Sequence, residues 1–193
     1  SCFDAGCGYA NCCPSPPPSS PLPSPPPARP LSSLLKLSAT ATLSSTHSAL
    51  FQASACVDGN LGTGNQRDGK FCQSNVESDP SLTLDLGTAI RIAYVAVYNR
   101  RDCCQDRLAD YTVSYRAHST DAWMVCAEAT AAADAVGPLL SECPQLAQYV
   151  RVQLPGTGRV LNLAEVEVYS LPSMRWRVSN AAATTWRPAV NLA

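Results

Sequence analysis

Histidine is almost absent from this chain: His47 and His118 are the only two in 193 residues. A catalytic pair needs a tuned base beside its nucleophile, and neither histidine stands in a motif that supplies one. His47 lies in Ser45-Thr46-His47-Ser48, a hydroxyl cluster with no nucleophile elbow and no third partner, and His118 follows a strand-like stretch. Both read as solvated loop residues, so no catalytic residue is assigned and no enzyme is expected. A basic excess is missing too. With a net charge of -1 and a pI near 6.1, the chain lacks the electrostatic footprint of a nucleic-acid binder. No apolar run approaches the ~20 residues of a transmembrane helix. Ser1 opens without a charged or apolar leader, which reads as a mature secreted chain. No Asn-x-Ser/Thr acceptor occurs, so any glycan is expected to be O-linked.

Cysteine and proline, by contrast, are plentiful, with 10 and 16 residues respectively. That many cysteines reads as an oxidising, extracellular setting. Cys2, Cys7, Cys12 and Cys13 crowd into residues 1–13, which cannot bury a core and are expected to form a disulfide knot, paired internally or with another subunit. Residues 14–30 hold ten prolines in seventeen positions. Fixed φ and missing amide donors leave a polyproline II rod of roughly 50 Å at ~3.1 Å per residue. Its Ser-Pro and Pro-Pro-Pro units resemble the hydroxyproline-rich stalks of plant and green-algal wall glycoproteins such as extensins and pherophorins. That resemblance implies hydroxylation and O-glycosylation, with Pro16, Pro17, Pro18, Pro25, Pro26 and Pro27 as the candidates. A bare semi-rigid spacer is the alternative.

From 31 to 170 the composition is that of a globular domain. Leu34 to Thr46 is a first strand or a connector. Leu82, Leu84 and Leu86 alternate with Ser81, Thr83 and Asp85, the period of a half-buried strand. A Leu86-Gly87 turn then leads into a β-branched and aromatic strand from Ile90 to Tyr98. Tyr111, Val113 and Tyr115 alternate again, and Trp123 to Cys126 is a short strand. Ala127 to Val136 has no amphipathic stripe and is expected to be an irregular excursion fastened by Cys126 and Cys143. Tyr149 to Leu154 and Leu163 to Tyr169 complete an all-β antiparallel sandwich. The tail, 171–193, alternates Met174, Trp176 and Val178 with arginines and adds Trp186, which suggests packing on a neighbour, in a homo-oligomer or fibril.

Two loops carry the chemistry. Residues 55 to about 75 form a long glycine-bearing loop in which Asp58 and Asn60 offer oxygens of the kind calcium prefers; an ion-free β-turn is the alternative. Cys56 and Cys72 bracket it and either join to close it or leave a free buried cysteine. The second loop, Asn99-Arg100-Arg101-Asp102-Cys103-Cys104-Gln105-Asp106-Arg107, presents guanidinium forks that suit vicinal hydroxyls or anions. Either each cysteine finds a distant partner and the arginines form surface ion pairs, or Cys103 and Cys104 join in a strained ring with a flat sulfur face.

Arg100-x-Asp102-Cys103-Cys104-x-(acid)-Arg107 resembles the signature of the F-type lectins (fucolectins), jelly-roll relatives of the discoidin modules, over roughly Leu37 to Tyr169. The resemblance implies glycan partners, with Arg100 and Arg107 on sugar hydroxyls, Asp102 orienting them and a Cys103-Cys104 disulfide as the platform. Where the family has a histidine after a cysteine, this chain has Gln73 and Ser74, which can still bond a hydroxyl. A structural Ca2+ is implied in the Asp58-Gly59-Asn60 loop, with Glu165 as the ligand from a late strand. The Cys126-Cys143 pairing matches the family. The usual partner of Cys72 is replaced by Ala164, so that bridge is rerouted, giving Cys56-Cys72. The function expected is a calcium-stabilised, lectin-like domain in an extracellular wall or fibril glycoprotein. The alternatives are a soluble fucose-type lectin and a structural domain that has lost sugar binding.

Overall fold

The computed structural model describes residues 30–61 and 70–172. The cysteines of 1–13, the proline-rich stretch up to 29 with its glycosylation candidates, the glycine-rich 62–69 and the tail from 173 lie outside the described residues.

Two antiparallel sheets face one another. One runs β1 (Leu35–Leu37), β10 (Asn162–Ser170), β5 (Tyr94–Asn99) and β8 (Leu139–Glu142), with β3 (Cys72–Gln73) sharing an edge of β10 with β1. The other runs β2 (Thr40–Leu43), β4 (Ser81–Arg91), β9 (Leu146–Gln153), β6 (Asp110–Arg116) and β7 (Met124–Thr130). Alternation along each strand decides what points inward. Leu82, Leu84, Val113, Val150 and Val152 meet Val95, Val97, Leu163, Val166 and Val168 in one core. Burying each such side chain stabilises the fold by about 1.5–3 kcal/mol. The expected all-β sandwich is what the chain forms.

Three local expectations are corrected. No turn interrupts the chain at Leu86-Gly87, because β4 runs on to Arg91 with its register against β9 shifting between Asp85 and Ile90. Gly87 sits there at φ +79°, a conformation glycine adopts without a Cβ clash, so the irregularity is a bulge rather than a reversal. The strand feeding the arginine loop is therefore shorter than Ile90–Tyr98 and begins at Tyr94. Ala127 to Thr130 is not irregular either. It completes β7, since ladder pairing with Asp110–Val113 outweighs alanine's weak strand preference.

Glu165 and Glu167 alternate with Val166 and Val168, a pattern that reads as one wet face. Yet every residue of β10 is buried. Leu31, Leu34 and Leu61 pack with Tyr94, Tyr98, Ala96 and Tyr169 over that outer side, so chain entering the domain covers the face that alternation would leave to solvent. At one side of the sandwich the Cys126–Cys143 disulfide ties β7 of one sheet to the residue following β8 of the other.

Candidate functional site

The arginine loop leaves β5 through Asn99, which is fully buried. Its amide donates to the carbonyls of Gln105 at 2.8 Å and Ala135 at 3.0 Å, and its Oδ1 accepts from the Arg100 N–H at 2.9 Å. One side chain thus pins both ends of the loop to the 135 segment. Arg100 then turns inward rather than out, with only 2% of its surface exposed. Its Nε and Nη2 donate to Asp102 Oδ1 and Oδ2 at 2.9 and 2.5 Å, a fork-to-fork pair. Below it lies Phe71, with the guanidinium carbon 3.9 Å from the ring centroid. Phe71 stacks on Phe51 at 4.5 Å, and Phe51 on His47 at 6.0 Å.

The hydrogen bond from Arg100 holds the Asp102 carboxyl below the usual carboxylate range, so the pair stays ionised and fixed. Cys103 and Cys104 are bonded to each other, with Cys104 in the left-handed region at φ 63°, and both sulfur-bearing residues are half-buried. The short 3-10 turn Gln105–Arg107 follows. Arg107 is half-buried and enters no ion pair among the described residues. Its carbonyl accepts from Arg159 Nη2 at 3.2 Å, which braces the loop from the opposite side. Arg101 is exposed.

Gln73 and Ser74 come to this same end of the sandwich through β3. The Gln73 carbonyl accepts from the His47 N–H at 2.9 Å, and its side chain is half-buried. Ser74 is buried. Its hydroxyl accepts from the Leu161 N–H at 3.0 Å and donates to the Asn75 carbonyl at 2.8 Å, which makes it a link within the protein. Asn99, Phe71, Phe51 and Arg159 are site residues that sequence reasoning passed over. The signal for Asn99 was an amide ending an apolar strand; for Phe71 it was a ring preceding a cysteine.

The second loop is closed by Cys56–Cys72. It meets β10 where the Gly59 N–H donates to Glu165 Oε1 at 3.0 Å. Asp58 Oδ1 accepts from the Asn60 N–H at 2.8 Å. Asp58, Gly59, Glu165 and Lys36 line a cleft of about 390 Å³. Glu165 is completely buried, its Oε2 has no hydrogen-bond partner among the described residues, and burial pushes its carboxyl up against the Gly59 hydrogen bond. An orphaned buried carboxylate oxygen is what a cation would satisfy, so the residues present fit an ion there. Among the described residues no three acidic, histidine or cysteine side chains converge, so further ligands would be Asn60 and carbonyls. Lys36 Nζ stands 3.5 Å from Glu165 Oε1 and 2.5 Å from Glu167 Oε1.

Comparison with known proteins gives a consistent picture. The family described as NedA-like, galactose-binding domain matches residues 55–152. Fucolectin-2 of Anguilla japonica is 32% identical over 137 residues, covering 67% of this chain and 72% of that protein. A Streptococcus pneumoniae fucose binding module superposes with a TM-score of 0.60 at 25% identity, over 70% of this chain and 95% of the module. The f-lectin (fucolectin) from Morone saxatilis serum gives a TM-score of 0.63 at 24% identity and shares the fold. This chain covers 69% of itself and 47% of that lectin in the match.

Proposed function

The chain belongs to the fucolectin branch of the discoidin-like galactose-binding domains, and from that premise we propose that the end of the sandwich bearing Arg100 and Arg107 binds a neutral glycan, fucose- or galactose-containing. Its domain is lectin-like and carbohydrate-binding. The single observation that carries the proposal is Asp102 locking Arg100 beside the Cys103-Cys104 disulfide, with Arg107 at the other end of the loop free of any carboxylate partner among the described residues. Arg107 supplies hydroxyl-directed donors, the disulfide supplies an apolar ledge, and Arg100 and Asp102 hold the loop in register for both. Gln73, half-buried in β3 at the same end of the sandwich, is a further polar group. Binding and orientation are what arginines do, and Asp102 is held ionised as the partner of Arg100.

Titration of the chain against an array of fucosylated and galactosylated oligosaccharides tests this. The expected outcome is saturable binding that Arg107→Ala weakens by about tenfold, or ~1.4 kcal/mol. Absence of binding, or an unaltered affinity in the variant, would sink it. A second reading, a structural sandwich that no longer binds sugar, is favoured by the burial of Arg100 and would then stand.

Asp58, Asn60 and Glu165 are the proposed holders of a Ca2+ ion, which would neutralise the buried Glu165 oxygen and brace the Cys56–Cys72 loop. Around the lectin domain, the proline-rich stretch and the N-terminal cysteines support an O-glycosylated, self-assembling wall or fibril glycoprotein. An intact mass equal to that of the bare chain would count against that extension.

A further inference from the structure

The outer face of the second sheet carries a cluster that the loop-end site does not use. Arg116 on β6 sits opposite Tyr149 on β9, and Arg151 on β9 sits opposite Ser114 on β6. Trp123, from the connection between β6 and β7, lies against both: the guanidinium carbons of Arg116 and Arg151 are 4.5 and 4.4 Å from its ring centroid. Arg116 is also 4.8 Å from the Tyr149 ring. Two like charges therefore share one indole, and neither belongs to an ion pair among the described residues. Asp85 faces Tyr149 in the ladder, but its Oδ1 already accepts from the Gly87 N–H and the Gln148 amide. The Nε atoms of Arg116 and Arg151 are both buried without a hydrogen-bond partner among the described residues. Burial, with the neighbouring Arg116 charge, pulls the Arg151 pKa down.

Stacking on a ring fixes the plane of a guanidinium while leaving its in-plane N–H donors unspent. Two such planes, with no carboxylate among the described residues to receive them, are complementary to an external oxyanion. The planar fork of a carboxylate matches the terminal Nη edge of each guanidinium, the Nε atoms being buried. We propose that this face is a second glycan-binding site, which takes carboxylate groups of a uronate-bearing polysaccharide at Arg116 and Arg151. A sugar chain is favoured over an acidic peptide because β6 and β9 are interior strands, flanked on both sides in the sheet. Their backbone groups are committed to ladders, so an extended peptide cannot add as a strand and only side-chain recognition remains. Arg116 closes β6 at the end away from Arg107, about 20 Å along a seven-residue strand. The proposal is therefore independent of the neutral-sugar site.

The test is calorimetric titration of the full chain with oligogalacturonate, with neutral oligogalactose as the comparison. Saturable, salt-sensitive binding is expected for the uronate. It should weaken at least about tenfold in Arg116→Gln/Arg151→Gln, ~1.4 kcal/mol, while a melting curve shows the variant folded and its neutral-sugar binding is unchanged. Arg151→Lys, which keeps the charge and loses the fork, is expected to weaken binding severalfold. No uronate binding by the parent chain, or undiminished binding by the double variant, would overturn the site. Full retention by Arg151→Lys would overturn the carboxylate fork, and equal, arginine-dependent binding of polyglutamate would overturn the sugar assignment.

Discussion

At Arg100 a surface-type residue has become a core one, and the consequence is measurable. Its buried charge is balanced by Asp102 alone among the described carboxylates, and breaking a buried pair costs about 3–5 kcal/mol because one charge is left uncompensated. Asp102→Ala is expected to destabilise by about 3 kcal/mol in urea denaturation at neutral pH. Since Arg100 depresses the folded-state pKa of Asp102, the pair's contribution is present above the unfolded value of about 3.9 and is lost as pH falls through the folded one. The parent should therefore lose stability in acid more steeply than Asp102→Asn; parallel acid limbs would contradict the pairing. Glu165 behaves in the opposite sense. Burial raises its pKa, so its contribution is present below the unfolded value, about 4.3, and is lost as pH rises through the folded one. Without an ion, Glu165→Gln should match or exceed the parent in thermal stability at pH 7. With calcium at a hundred times its Kd the parent should gain about 2.7 kcal/mol and the variant little; equal gains, or none in the parent, would remove Glu165 from the ligand set.

Among the elements, β10 is the one whose two faces do different work. Val166 and Val168 fill the core between the sheets. On its other side Glu167 Oε2 accepts from Tyr98 at 2.9 Å and Tyr169 at 2.7 Å while Oε1 meets Lys36. Burial pulls the Glu167 pKa up, but those three donors outweigh it and the carboxyl is held low. Tyr98 is correspondingly pushed up, by burial first and then by Glu167, to about 12. A hydrogen bond to a charged group contributes about 1.5–3 kcal/mol. Tyr98→Phe is expected to lower the urea midpoint by the equivalent of about 1.5 kcal/mol at unchanged m. A neutral substitution would mean that Tyr169 and Lys36 satisfy the carboxylate between them.

For the whole molecule, the sandwich closes its β7–β8 side with the Cys126–Cys143 disulfide, a crosslink spanning a sequence separation of 17. Closing a loop of that size in the unfolded chain is worth about 3 kcal/mol. Replacing both cysteines with alanine is expected to lower stability by about that amount, read from urea unfolding, and to leave the Arg107-dependent sugar affinity unchanged, because the bridge stands away from the arginine loop. Loss of sugar binding in a folded double variant would show that sheet spacing sets the loop end.

Sequence alone fixed what local chemistry can fix. Period-2 runs such as Leu82-Leu84 demanded half-buried strands, and adjacent cysteines behind an apolar run marked the arginine loop, since both signals are properties of neighbouring residues. The bulge at Gly87 was hidden because a glycine serves a turn and a bulge equally well, and β7 because alanines carry no strand pattern of their own. Burial was decided by tertiary structure. From sequence Glu165 is expected on an ion and Arg100 on a sugar, and the burial of these two and of Glu167 follows from residues distant in sequence: Gly59 donates to Glu165, Tyr98 donates to Glu167, and Phe71 stacks on Arg100. The cluster of Arg116, Trp123, Tyr149 and Arg151 likewise joins residues about thirty positions apart through the pairing of β6 with β9. Charges become a site only when pairing across a sheet brings them together and leaves them without partners, which no one-dimensional pattern records.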